Sequence, residues 1–302
     1  MLPVARTKAS FEGRSRYGLG HRGYHRIVDE STNVDHAEVQ PGYRLAATGR
    51  EQAEDERLEL LQQIYDPPTR RLRDFVQRGW RCLEVGAGRG SVAVWMAERV
   101  GESGLVIATD VDVGFLEHVE VANLDVRRHD ILGDPIEELG EGSFDVVCSR
   151  LLLFWLAGEQ ESAIGRMVRL LRPGGWLVDE DGDWGTPAPV DPAHPLSAAY
   201  ERAFAGGEWW SSRGYDPFFG RKLPALFEHC GLTNITHHAS TEVVLGGSPW
   251  ARWWHSSLDA ITHAREPTPR DLTDLADLSA VCTDRSAWLM RELLHSCVGQ
   301  RV

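Results

Sequence analysis

The chain has 302 residues, 42% of them hydrophobic and 25% charged, with a net charge of −13. That balance suits a globular protein with a sizeable core and argues against a general nucleic-acid binder, which needs cations to neutralise phosphates. The longest apolar run, LLLFWLA at 151–157, is far short of the ~18 residues a membrane span needs. With no charged-then-apolar opening stretch, and five cysteines (Cys82, Cys148, Cys230, Cys282 and Cys297) that form no CxxC pair, a cytoplasmic protein with reduced, buried thiols is expected.

Residues 1–48 show little periodicity, and residues 1–26 carry six basic side chains against one acid, which fits a solvated arm. From Arg50 to Tyr65 the pattern turns helical, with Leu58, Leu61, Ile64 and Tyr65 on one stripe. Asp-Pro-Pro at 66–68 is expected to stop that helix and cap a second one over roughly 68–78. Strands and helices then alternate: strands at Arg81–Val85, Leu105–Thr109, Asp125–His129, Phe144–Ser149 and Trp176–Glu180, helices at Ser91–Val100, Gly114–Val119 and Ala163–Leu171. Such alternation predicts an α/β fold, a parallel sheet with crossover helices on both faces. Beyond Asp181 the rhythm breaks. Residues 182–216 are rich in Pro, Gly and Trp, with one helix near 195–205; a helix at Phe218–Cys230 and a strand at Asn234–Leu245 follow. Pro249–His263 and Leu272–Leu278 read as inserted helices, and 288–298 fits a helix or a strand, the strand preferred because the sheet needs a last one.

The stretch CLEVGAGRGS, 82–91, places Gly86, Gly88 and Gly90 after a strand that carries Glu84. A dinucleotide fingerprint reads GxGxxG. Here the third dinucleotide glycine is replaced by Ser91, and a carboxylate at Glu84 would repel a pyrophosphate but suits an ammonium group. Asp110, at the end of the second strand, is placed to accept both hydroxyls of a ribose, and Asp130, after the third, to accept from an adenine amino group.

With TDVD at 109–112, HDI at 129–131, FDVVCSR at 144–150 and LRPGGWLVDED at 171–181 in the same order and spacing, the chain resembles the class I S-adenosylmethionine-dependent methyltransferases over about residues 50–245. The resemblance implies a doubly wound, mostly parallel seven-stranded sheet with a helical N-terminal segment and helical lid insertions. It implies S-adenosyl-L-methionine as cofactor and S-adenosyl-L-homocysteine as product. The loop Gly86, Ala87, Gly88 and Gly90 would pack on the methionine part, Asp110 with Val111 would take the ribose, and Asp130 with Ile131 the adenine. Ser149 and Arg150 would lie by the amino-acid end, and Tyr43 would close over the cofactor. Within the superfamily the chain looks like the bacterial small-molecule, secondary-metabolite type. YDPPT at 65–69 resembles the DPPY box of DNA amino-methyltransferases but lacks its aromatic fourth residue, and it reads as a helix boundary.

Seven of the eleven tryptophans lie beyond residue 183. They would either line a pocket for a small aromatic acceptor or glue a lid to the core. Base candidates are His255, His25 and His21, with Asp183 and Tyr215 weaker; C-, N- and O-methylation all stay open. His21 and His25 have no third ligand nearby, so no metal is expected. The expected organisation is an N-terminal arm and helical cover at 1–65, a cofactor-binding core at 66–181, a lid insertion at 182–216, core again at 217–245, a second lid insertion at 246–285 and a last core strand at 286–302. The expected partner is the acceptor, with neither nucleic acid nor membrane; the chain is compatible with a homodimer. A cyclase that keeps the same cofactor, a non-catalytic binding module and an NAD-dependent dehydrogenase are the rival functions.

Overall fold

Two-residue alternation in the strands decides the layering. The computed structural model describes residues 51–72, 74–198, 214–264 and 269–302, the side chains of 51, 71–72, 259–264 and 269–275 aside. Strands β1 (Arg81–Val85), β2 (Leu105–Asp110), β3 (Leu124–Arg128), β4 (Phe144–Arg150), β5 (Leu171–Asp183), β7 (Leu232–Ser240) and β10 (Leu293–Arg301) form a seven-stranded sheet in the order β3-β2-β1-β4-β5-β10-β7. β1 to β5 run parallel, and β10 is antiparallel to both β5 and β7. Successive side chains point to opposite faces. Leu83, Ile107, Val147, Leu177 and Cys297 therefore join one buried cluster with helices α3 (Gln160–Leu170) and α4 (Leu223–His229). Val106, Ala108, Cys148, Val178 and Val298 join a second cluster with α2 (Ser91–Val100). A sheet covered on both faces is what continuous apolar strands imply.

The remaining elements gather around a third cluster. Helix α1 (Glu51–Leu72), α5 (Pro249–Ala264) and α6 (Pro269–Thr283) accompany a three-stranded sheet, β6 (Ala188–Pro189), β9 (Trp288–Met290) and β8 (Val243–Leu245), in the order β6-β9-β8.

Three expectations need correction. No second helix begins at residue 68: α1 continues through Pro67 and Pro68 to Leu72. Two prolines remove two donors from the helical ladder, and the turn is held instead by side-chain bonds of Tyr65, Asp66 and Thr69 to the core, described below. The stretch 234–245 is two strands rather than one, with β7 in the large sheet and β8 in the small one. The break falls at Thr241–Glu242, where Thr241 Oγ1 donates to Arg291 O, Arg291 N donates to Glu242 O, and the Arg291 guanidinium pairs with the Glu242 carboxylate. The stretch expected as a single last strand at 288–298 breaks at the same level, into β9 of the small sheet and β10 of the large one, with Arg291 and Glu292 drawn into that junction.

Candidate active site

β1 ends at Val85, and the loop that follows turns back through three residues with positive φ: Gly86 at 71°, Gly88 at 54° and Gly90 at 78°. Residues with a Cβ resist that region. At Gly90 a Cβ would also lie 2.7 Å from Leu116 Cδ2, so a larger residue there would have to displace that side chain. Gly86 N and Ala87 N both donate to Thr109 O, at 2.9 and 3.0 Å, which pins the loop to the end of β2. The next residue, Asp110, is buried, and its carboxylate accepts from Gly88 N at 2.9 Å and from Asp112 N at 3.1 Å. Thr109 Oγ1 donates to the backbone carbonyl of the buried Glu84 at 3.0 Å. Val111 follows, half-buried.

His129 N donates to Asp110 O at 3.0 Å, so the third strand's end is tied to the second's. Asp130 and Ile131 come directly after it. Asp130 Oδ1 accepts from Leu132 N at 2.9 Å in a tight Asx turn, and Ile131 is buried. Ser149, at the end of β4, bonds the Asp179 carboxylate on β5. The structure thus brings Glu84, Gly86, Ala87, Gly88, Gly90, Asp110, Val111, Asp130, Ile131 and Ser149 to the carboxyl ends of four neighbouring parallel strands. In an open parallel sheet that is where ligands bind. Arg150 goes elsewhere: its Nη1 donates to Asp66 Oδ1 at 2.9 Å and to Thr69 Oγ1 at 3.3 Å, both on α1. Tyr43, His21 and His25 lie outside the described residues, as do Trp209 and Trp210.

α1 runs across this end of the sheet. Arg89, inside the glycine loop, reaches Asp55 Oδ2 at 3.2 Å and Glu59 at 3.7 Å. Ser91 Oγ donates to Asp66 Oδ1 at 2.8 Å, and the Thr69 hydroxyl bonds Glu180 on β5, whose other oxygen accepts from Ser296 Oγ at 2.9 Å. Tyr65 Oη donates to Glu292 Oε1 at 2.7 Å, and Trp250 Nε1 donates to Glu292 Oε2 at 2.7 Å. Arg291 completes that carboxylate's set at 3.2 Å and lies over the Tyr65 ring. Burial, then Glu292, push the Tyr65 phenol well above its ordinary range. Sequence reasoning missed Asp66, Thr69, Glu180 and Glu292. Two of them sit in YDPPT, the motif it set aside, and nothing local marks Glu292.

The aromatic side chains of the cover pack on one another. Trp184 stacks on Trp254 with centroids 4.8 Å apart and on Trp253 at 5.6 Å, and all three are buried. Phe154 and Trp155, just past β4, are half-buried and meet Tyr215 at 6.5 and 4.4 Å. His255 is exposed on α5 and shares a hydrogen bond with Ser279 on α6 at 2.6 Å. Asp183 is held at 2.5 and 2.7 Å by Arg221. Burial would raise its carboxyl, but the His295 ring 3.8 Å away and hydrogen bonds from Arg221 and Gly185 N outweigh that and lower it to about 2, too weak a base for proton abstraction. Asp181 goes the other way: burial and the neighbouring Asp179 push it well up, against backbone donors that include Gly182 and Phe154. Burial and Asp179 push the Cys297 thiol to about 12, so it is no nucleophile. Among the described residues no group of His, Cys, Asp and Glu could hold a metal, and no helix is long and apolar enough to cross a membrane.

Residues 83–179 match the family described as methyltransferase domain. Nocamycin O-methyltransferase of Saccharothrix syringae is 34% identical over 136 residues, 43% of this chain and 46% of that protein. Arsenite methyltransferase of Aquipseudomonas alcaligenes is 33% identical over 117 residues, 34% of this chain and 33% of that one. The matched stretch therefore spans less than half the length of these curated relatives. Among solved structures, phosphoethanolamine N-methyltransferase 2 of Haemonchus contortus, in complex with S-adenosyl-L-methionine, shares the fold at TM-score 0.51 and 15% identity, over 88% of this chain and 60% of that one. A Bacillus halodurans C-125 protein assigned as a methyltransferase does so at TM-score 0.50 and 16% identity, over 76% of this chain and 96% of that one.

Proposed function

We propose that this chain, whose residues 83–179 match the methyltransferase-domain family, moves a methyl group from S-adenosylmethionine to a small, aromatic secondary-metabolite acceptor. One observation carries the reading. A glycine loop with three positive φ angles turns against the buried Asp110, which sits at the end of the adjacent strand with its carboxylate 2.9 Å from Gly88 N. The carboxylates of Glu84, Asp110 and Asp130 suit a nucleoside with a hydroxyl pair, a purine amine and an ammonium group, and the loop's one cation, Arg89, is turned to Asp55 and Glu59 on α1 rather than towards a pyrophosphate.

In this reading Gly86, Ala87, Gly88 and Gly90 pack on the methionine part with Glu84 and Ser149 near its polar end. Asp110 with Val111 receives the ribose, and Asp130 with Ile131 the adenine edge. Arg150 serves α1 through Asp66 instead of the cofactor. The sulfonium supplies an activated methyl group. The protein's share is alignment of donor and acceptor, worth ~7–11 kcal/mol when both are held in line. Phe154 and Trp155, half-buried and backed by the buried Tyr215, offer flat apolar surface close behind β4 and favour an aromatic acceptor. The relative named nocamycin O-methyltransferase supports methyl transfer to a secondary metabolite. The bond between His255 and Ser279 favours a helix-pairing role for that histidine.

Calorimetric titration tests the cofactor: S-adenosylmethionine binds in the micromolar range or tighter and NAD does not. Incubation with a panel of phenolic and polycyclic acceptors tests the reaction, through release of S-adenosylhomocysteine and a product heavier by one CH2. Uptake of NAD in place of the sulfonium nucleoside would refute the reading.

A further inference from the structure

We infer that Asp66 is a positioning residue for the cofactor loop: one carboxylate on α1 clamps the first residue beyond the glycines and the last residue of β4 into a single unit. The inference rests on the methyltransferase reading above and assigns a task to the YDPPT segment.

Asp66 Oδ1 accepts from two donors, Ser91 Oγ at 2.8 Å and Arg150 Nη1 at 2.9 Å. Its Oδ2 faces Arg70 at 3.4 Å, one turn further along α1. Asp66 and Arg150 are 13% and 6% exposed, so solvent screens this pair little. Ser91 opens α2 directly after Gly90, and Arg150 closes β4. The carboxylate therefore bridges both walls of the crevice above β1 and β4.

The start of α2 needs such a partner. Gly90 caps it with no side-chain hydrogen bond, and its first turn contains no acid. A helix N-terminus carries partial positive charge, and an anion beside it is stabilising. Asp66 supplies that anion from another helix. The loop before it is built on three glycines, which lose more conformational freedom on ordering than any other residue. A clamp at its exit removes that freedom before the ligand arrives, and preorganisation of this kind shows up as affinity.

The flanking residues hold the clamp in place. Tyr65 is bonded to Glu292 and Thr69 to Glu180, so α1 is fixed on both sides of Asp66. Between them Pro67 and Pro68 have fixed φ and donate no N–H, which stiffens the turn that presents the carboxylate.

The test uses the full chain and S-adenosylhomocysteine as probe, in calorimetry and thermal denaturation, with wild type, Asp66→Asn, Asp66→Ala, Ser91→Ala and Tyr65→Phe. Asp66→Asn keeps the shape and loses the charge. It is expected to weaken binding about tenfold and to raise KM for the cofactor with little change in KM for the acceptor. Tyr65→Phe breaks the neighbouring docking bond of the same helix. It is expected to lower the melting temperature while the dissociation constant stays within about twofold of wild type. If Asp66→Ala and Asp66→Asn fail to fold, Ser91→Ala decides from the loop side, with an expected loss of about threefold or more. Wild-type affinity in Asp66→Asn, or in a folded Ser91→Ala when both Asp66 variants are lost, overturns the clamp and leaves the methyltransferase reading intact. So does an equal loss of affinity in Tyr65→Phe, which would make the effect one of stability. A wild-type protein that ignores the nucleoside overturns both.

Discussion

The glycine-loop end and the aromatic cover are built by opposite means. At the loop the donors are backbone N–H groups with partners at the end of the adjacent strand: Gly86 N and Ala87 N reach Thr109 O, and Gly88 N reaches the Asp110 carboxylate. In the cover the chain uses side chains far apart in sequence. Tyr65, Trp250 and Arg291 converge on the buried Glu292, with Tyr65 lying 227 positions away, and Trp184 stacks on Trp253 and Trp254. The contrast teaches a division of labour. Damage at the loop should appear first in cofactor affinity, and damage in the cover first in stability.

The largest effect that could break this division is at Glu292. Glu292→Ala leaves a phenol and an indole N–H buried without their acceptor and the Arg291 guanidinium with Glu242 alone. Breaking a buried charge pair costs ~3–5 kcal/mol, a drop in melting temperature of roughly 5–8 °C for a chain of this size. Cofactor affinity measured well below that transition should stay near wild type; a selective loss of affinity with no thermal shift would erase the distinction. Asp110→Ala is the converse experiment. It should weaken S-adenosylmethionine binding about tenfold or more, ~1.4 kcal/mol, with a smaller effect on the melting temperature. Normal binding in that variant would contradict the ribose assignment.

A finer probe lies at the edge of the cover, where Arg221 holds Asp183. The Asp183 carboxyl is depressed to about 2, so its contribution to stability is present above the ordinary aspartate value near ~4 and fades as pH falls towards the depressed one. Arg221→Ala should cost about 1 kcal/mol or less at pH 7, because the arginine is half exposed. The thermal difference from wild type should shrink below roughly pH 4. A difference that grows on acidification would refute the assignment. The smallest effect is expected at Trp288, which is exposed on β9 of the small sheet. Trp288→Ser should change stability by less than ~0.5 kcal/mol. A large thermal loss there would mean that the cover depends on a face the fold leaves open.

The α/β alternation and the loop were legible because each depends on neighbours in sequence. A short apolar run with a glycine turn at its end can be read within ten residues. YDPPT was legible as a motif but not in its consequence. Two prolines ordinarily end a helix, and only the anchors at Ser91, Arg150, Glu180 and Glu292 explain why α1 continues. Arg150 illustrates the same limit: its place at the end of β4 follows from the pattern, but its partner follows from where α1 comes to lie. The tryptophan excess pointed to the cover and left its packing open. In the structure the described rings at 184, 253 and 254 are buried in mutual stacking, and the half-buried rings at 154 and 155 lie by the strand ends.

The sequence by itself determined the strand order's raw material and the makings of the crevice at the strand ends: which segments are extended, where the chain must adopt positive φ, and which acids follow the strands. These are local matters, set by sterics and by a two-residue period. Only the tertiary structure decided that a proline-bearing helix spans that crevice, that one aspartate ties the glycine loop to β4, and that a buried glutamate joins helices and strands from both ends of the chain. Those outcomes depend on desolvated contacts between distant residues, and such contacts come into being only when the sheet has been assembled.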